Sequence, residues 1–230
     1  MATVVITGAG RGIGAELCRQ AVAGGDRVVA CPRSDDAPEL DPDTRRRARV
    51  VPLDVADEPS IARAGREIAA QVEAVDLLIH NAGVYPRENA SFDRLDPECL
   101  VRAFQVNALG PLRVTAALLP LLRRGRKKRV AALTSRMGSI DDNRSGGSYA
   151  YRMSKAALNM AVRNLAHELG REGFVVLAIH PGWVRTRMGG GDRAPLALDQ
   201  AAAEVLRLAR HADPALSGAM VGPGAERIPW

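Results

Sequence analysis

Tyr151 and Lys155 stand four residues apart in the run Tyr151-Arg-Met-Ser-Lys155, which reads as helix. At that spacing the phenol and the ammonium share one face, so Lys155 is expected to lower the pKa of Tyr151 and make it a usable acid near neutral pH. A Tyr beside a solvated Lys is also an ordinary helix surface, so the pair gains chemical meaning only from the elements that position it. Those elements must bring a reactant to the phenol.

A second group of residues has phosphate chemistry written into it. The segment Thr7-Gly-Ala-Gly-Arg-Gly-Ile-Gly14 follows the apolar run Thr3 to Ile6 and opens a helix near Ile13 to Val22. Glycines there let the backbone turn tightly and approach a pyrophosphate at the positive end of a helix dipole. Those that fit are Gly8, Gly12 and Gly14, in the order TGxxxGxG rather than the commoner GxGxxG.

Around these two groups, short β-rich runs alternate with helix-length ones. Strands are expected at Arg27 to Cys31, Arg49 to Leu53, Val75 to Ile79, Arg129 to Thr134, Phe174 to Ile179 and, shorter, Ala219 to Val221. Helices are expected near Pro59 to Val72, from an Asp96 N-cap toward Leu122, from Tyr151 to about Leu169, and near Leu198 to Ala209. Strands apolar throughout, separated by helix-length crossovers, mean a parallel sheet covered on both faces. The expected fold is α/β: one Rossmann-type, doubly wound domain over residues 1–230, with about seven strands and a ligand at their carboxyl ends.

Composition narrows the function. With 47% hydrophobic residues the chain can bury a large core, and it has neither a leader-like opening nor an apolar window of membrane length, so a cytoplasmic protein with no membrane partner is expected. Cys18, Cys31 and Cys99 and the four histidines, His80, His167, His180 and His211, show no disulfide or metal-ligand spacing, so no metal is expected. The net charge is +6, and the run Arg123 to Arg129 is its densest patch. It follows an apolar helix whose dipole it complements, and with 3% aromatics there is little to stack on bases, so nucleic acid is not an expected partner.

Taken in chain order, the motifs resemble those of the short-chain dehydrogenase/reductase family over almost the whole length. They are the glycine loop, Asp54 after the third strand, Asn81-Ala-Gly83 after the fourth, Asn107 in the next helix, Ser135 after the fifth, Tyr151-xxx-Lys155, and Pro181-Gly182 after the sixth. The chain end is similar to that of the family's small carbonyl-reductase and C-factor branch, which includes a developmental signal protein. The resemblance implies a catalytic set of Asn107, Ser135, Tyr151 and Lys155: Tyr151 protonates the alkoxide, Ser135 holds the carbonyl oxygen, and Lys155 holds the nicotinamide ribose. Asn107 would interrupt its helix locally and support a proton relay to Lys155. Ser139 is the alternative serine, Ser148 is expected to cap the Tyr151 helix, and His80, where the family often has Asn, is expected to affect packing.

For the cofactor, the resemblance implies contacts from Gly8, Arg11, Gly12, Ile13, Gly14, Asp54, Val55, Asn81, Ala82, Gly83, Pro181, Gly182, Val184 and Thr186, besides Tyr151 and Lys155. The second strand ends in Cys31-Pro-Arg33, with no acid at the place that binds an unphosphorylated ribose. Arg33 and Arg11 could clamp a 2′-phosphate, which favours NADP(H) over NAD(H), while Asp35 and Asp36 weigh toward NAD if the strand ends later. Residues 187–197 are expected to form a short, glycine-rich lid over a small carbonyl or alcohol substrate. Family members often assemble as homodimers or homotetramers, and a monomer is equally compatible. Two functions follow: an NADP-dependent carbonyl reductase, or a nucleotide-binding signalling protein with little turnover.

Overall fold

The protein is represented by a computed structural model that describes residues 1–34, 39–86 and 92–230. Asp35 and Asp36 lie outside the described residues. Among the described residues eight strands form one sheet in the order β3-β2-β1-β4-β5-β6-β7-β8. These are β1 Thr3–Thr7, β2 Arg27–Cys31, β3 Arg49–Val50, β4 Leu77–His80, β5 Arg129–Leu133, β6 Val175–Ile179, β7 Met220–Val221 and β8 Arg227–Ile228. All neighbours pair in parallel except β7 with β8, which close the far edge as an antiparallel pair. The sequence pattern predicted about seven strands; β8 is the addition, two residues too short to show a period of its own.

The sheet is buried because its residues are apolar in both directions. Val4 and Ile6 face the layer of α1 (Gly12–Ala23) and α7 (Leu198–His211), while Val5 faces the layer of α3 (Glu58–Gln71), α5 (Gly110–Arg124) and α6 (Tyr149–Gly170). The same alternation runs along β6, with Val175, Leu177 and Ile179 on one face and Val176 and Ala178 on the other. Reversal of strand order between β1 and β4 opens a crevice at the carboxyl ends of these strands, where an α/β sheet binds its ligand.

Three local features refine the expected pattern. The third strand stops at Val50 as a regular ladder, although Val51 and Leu53 still donate to Ala30 and Pro32 carbonyls. A short helix, α2 (Pro42–Arg47), follows Asp41, whose carboxylate accepts from the amides of Asp43 and Thr44. The helix expected from Asp96 toward Leu122 is interrupted locally at Asn107, as the resemblance implied: α4 (Pro97–Phe104) passes into a π turn over Gln105–Leu109 before α5 begins.

The basic run sits at the opposite end of the sheet from the crevice, around the start of β5. Arg123 pairs with Glu172 at 2.8 Å, Lys128 donates to the Glu172 carbonyl, and Arg129 to that of Ala212. No helix among the described residues is long and apolar enough to cross a membrane.

Candidate active site at the carboxyl ends of the strands

The glycine loop is held from below by the end of β4. Thr7 Oγ1 accepts from the amides of Asn81 and Ala82, both at 3.1 Å, and Asn81 Nδ2 donates to the carbonyls of Thr7 and Gly8, both at 3.0 Å. Asn81 therefore braces the loop. Two glycines are sterically required: a Cβ on Gly14 would lie 2.2 Å from the Gly8 carbonyl oxygen, and one on Gly8, at φ +65°, 2.7 Å from Ala82 Cα. Arg11 at the N-cap position and Ile13 in the first turn complete the loop, whose amides open α1.

Neighbouring loops converge on this turn. Ala9 donates to the carbonyl of Cys31, which brings Pro32 and exposed Arg33 alongside the glycines. Asp54 accepts from the Ala56 amide at 2.9 Å, and Val55 is buried against Gly110, where a Cβ would come within 2.9 Å of the Val55 carbonyl. From β6, Gly182 turns at φ +88°, Val184 bridges to Leu196, and Thr186 lies 3.8 Å from the Cβ position of Gly12. Within residues 187–197, Gly189 donates to Thr186 Oγ1 and accepts from Trp183 Nε1, while Arg185 donates to the carbonyls of Ala194 and Pro195.

The structure brings the four predicted catalytic residues together. A side-chain hydrogen bond joins Ser135 to Tyr151, and Lys155 Nζ lies 5.8 Å from the Tyr151 ring centroid. Lys155 is buried and donates to the Leu133 carbonyl at 2.7 Å. Asn107 sits on the π turn, where the Gly110 amide reaches back to the Gln105 carbonyl, five residues away. Its side chain accepts from the Val84 amide at 2.8 Å and donates to the Val84 carbonyl and Ser154 Oγ, both at 2.9 Å. Gly83 leaves room for both groups: its Cβ position is 3.3 Å from Asn107 Oδ1 and 3.7 Å from Lys155 Nζ.

Electrostatics differ from the sequence expectation. Burial pushes the Tyr151 phenol up to about 12, opposed in part by the Ser135 hydrogen bond and reinforced by Tyr85. Burial also brings the Lys155 ammonium down to about 8. The expected lowering of Tyr151 by Lys155 is therefore not what this arrangement produces: desolvation disfavours both charged forms, and the ammonium turns to a carbonyl. Tyr151 is protonated at neutral pH and can act as a proton donor.

The serine alternatives separate geometrically. Ser139 is buried, donating to the Trp230 carbonyl at 3.0 Å and accepting from the Asp142 amide at 3.0 Å, so its hydroxyl is committed to the loop. Ser148 stands at the N-cap of α6, but in a left-handed conformation (φ 47°) with no cap bond; its hydroxyl meets the Tyr85 hydroxyl at 2.7 Å instead. This corrects the expected cap. His80 is a packing residue as expected, its Nε2 joined to Thr115 Oγ1 at 2.8 Å between β4 and α5.

Sequence reasoning missed three contributors. Tyr85 lies edge-on to Tyr151 with ring centroids 4.6 Å apart, and Ser154 links Asn107 to the Tyr151 carbonyl. Ser154 was visible inside the Tyr151–Lys155 run; Tyr85, two residues past Gly83, had only that proximity to mark it. Glu39 gave no signal at all, yet its carboxylate accepts from the Gly12 amide at 2.6 Å.

Residues 2–196 match the profile described as short chain dehydrogenase. The chain belongs to this family. Among family members, the C-signal protein of Myxococcus xanthus is 51% identical over 156 residues, covering 68% of this chain and 93% of its own. The 1-hydroxy-2-glutathionyl-2-methyl-3-butene dehydrogenase of Rhodococcus sp. (strain AD45) is 34% identical over 234 residues and the full length of both. The NADPH-bound carbonyl reductase from chicken fatty liver superposes with a TM-score of 0.88 at 28% identity, over 100% of this chain and 99% of the other. This short-chain dehydrogenase is accordingly an oxidoreductase that uses a nicotinamide cofactor on a small molecule. The glycine loop fits such a group, since Gly8 and Gly14 leave no space for a side chain and the Gly12 amide already seats an anion, the Glu39 carboxylate.

Proposed function

We propose that this protein is an NADP-dependent carbonyl reductase in which Tyr151 is the proton donor. The observation that carries the reading is the convergence of Ser135, Tyr151, Lys155 and Asn107 beside a glycine loop built for a phosphate. When bound, the nicotinamide supplies or accepts the hydride. Gly8, Arg11, Gly12, Ile13 and Gly14 would hold its pyrophosphate, Asp54 and Val55 its adenine, and Ala82, Gly83, Pro181, Gly182, Val184 and Thr186 the nicotinamide half, with Asn81 behind the loop. Arg33 and Arg11, both exposed beside it, would take the 2′-phosphate.

In the reducing direction Ser135 orients the substrate carbonyl oxygen by hydrogen bond, and Tyr151 gives that oxygen its proton as negative charge develops there. Burial keeps the proton on Tyr151 until it is needed. Lys155 would also hold the ribose hydroxyls. Both Nδ2 protons and one Oδ1 lone pair of Asn107 are taken by Val84 and Ser154, so its side chain ties the residue-84 loop to α6. Residues 187–197 would cover the substrate.

The decisive experiment is NADPH oxidation against a panel of ketones, aldehydes and quinones, with Tyr151→Phe alongside. Turnover that falls about 10²–10⁴-fold in the variant while NADPH affinity is kept supports the reading. Cofactor binding with no Tyr151-dependent turnover on any carbonyl would instead favour a signalling role, which the name of the Myxococcus relative brings into view.

A further inference from the structure

Glu39 is the residue whose contact the proposed chemistry does not use. Its carboxylate accepts from the amide of Gly12 at 2.6 Å, and its own amide donates to the Gly10 carbonyl at 3.2 Å. It thus touches the glycine loop on both sides of Arg11. The Gly12 amide is the first of α1, a helix of 12 residues, and the positive end of such a helix attracts an anion. Glu39 is exposed, so this seat is filled by a carboxylate that can leave it without disturbing the core.

We infer that Glu39 is an affinity-determining residue of the cofactor site: its carboxylate occupies the loop's anion seat, and a cofactor phosphate must displace it to bind. This rests on the NADP-dependent reading above. Arg11 stands within the loop and Arg33 just past β2 beside it, both exposed. The carboxylate cancels part of the positive field that the two guanidinium groups and the helix end present, so it opposes a pyrophosphate both by occupancy and by repulsion.

The test is calorimetric or fluorescence titration of wild type, Glu39→Gln and Glu39→Ala with NADPH and, separately, with NADH, at low and high salt. Both variants are expected to bind NADPH about three- to tenfold more tightly at low salt, with the advantage shrinking toward unity as salt screens the lost charge. Equal or weaker NADPH binding by both variants, with melting temperatures near that of wild type, overturns the inference. If NADPH fails to saturate any of the three proteins while NADH saturates all, the NADP reading has failed instead, and the Glu39 comparison is then read from NADH, where the same tightening is expected.

Discussion

A phenol held near 12 and an ammonium held near 8, side by side, describe a site whose dryness sets its protonation. From the spacing alone the pair looked like a cation tuning an acid; residue spacing carries no information about desolvation, so the sign of the shift at Tyr151 had to come from the structure. Ser135 and Ser139 make a sharper residue-level contrast. Ser135→Ala is expected to lower kcat by about 10²-fold with little change in melting temperature, since the hydroxyl accepts only one local amide, that of Met137. Ser139→Ala should keep kcat within a fewfold and lose about 1 kcal/mol of stability in urea, because its hydroxyl ties the Trp230 carbonyl to the Asp142 amide. His80 supplies the pH dependence. Burial brings it down to about 3, whereas an unfolded His titrates near 6.5, so between those values the unfolded chain takes up a proton that the fold excludes, and stability falls as pH drops through that window. His180, brought down to about 4, adds to the same slope. His80→Asn should flatten it, moving the acid unfolding midpoint down by roughly half a pH unit in a circular-dichroism titration.

At the scale of elements, glycines divide into those the fold needs and those it tolerates. Gly14 opens α1 with no room for a methyl group, so Gly14→Ala should cost roughly 3 kcal/mol or more and prevent cofactor binding. Gly170 ends α6 facing open space and without a left-handed backbone, so Gly170→Ala should raise stability by about 0.5 kcal/mol, measured by chemical denaturation. Helix starts were legible where a carboxylate preceded a proline: Asp96 before Pro97 marked α4, and the identical pair Asp41 and Pro42 marks α2, whose six residues are too few to show an apolar period. Strands β1, β2, β5 and β6 announced themselves as apolar runs, and the break between α4 and α5 came through the resemblance at Asn107; β8 did not show, because a two-residue strand exists only through its partner. What made the crevice legible was order along the chain, each motif falling at the end of a strand the topology aligns with the others.

Across the whole molecule the sheet seals most of its chemistry away from solvent. Cys18 and Cys31 are buried on opposite faces of the sheet, the first pushed far above the ordinary thiol range and the second up to about 12, so neither is a nucleophile. Under native conditions a thiol reagent such as Ellman's should label at most Cys99, and all three after unfolding. The last residue is also tied to the loop after β5, through the Trp230 carbonyl, which accepts from the amides of Ile140 and Asp141. The π turn has the widest reach. A π turn holds one residue more than the same rise of α-helix, so Gln105–Leu109 is a surplus residue in the chain's count. Deleting one residue there would let α4 and α5 run on as a single continuous helix of the same rise, since the surplus residue adds none. The buried stripe of Val114, Leu118 and Leu121 would keep its phase, while Asn107 would lose its place against Val84. A substitution scan would pass over this surplus, since no one side chain creates it; a deletion of one residue exposes it at once.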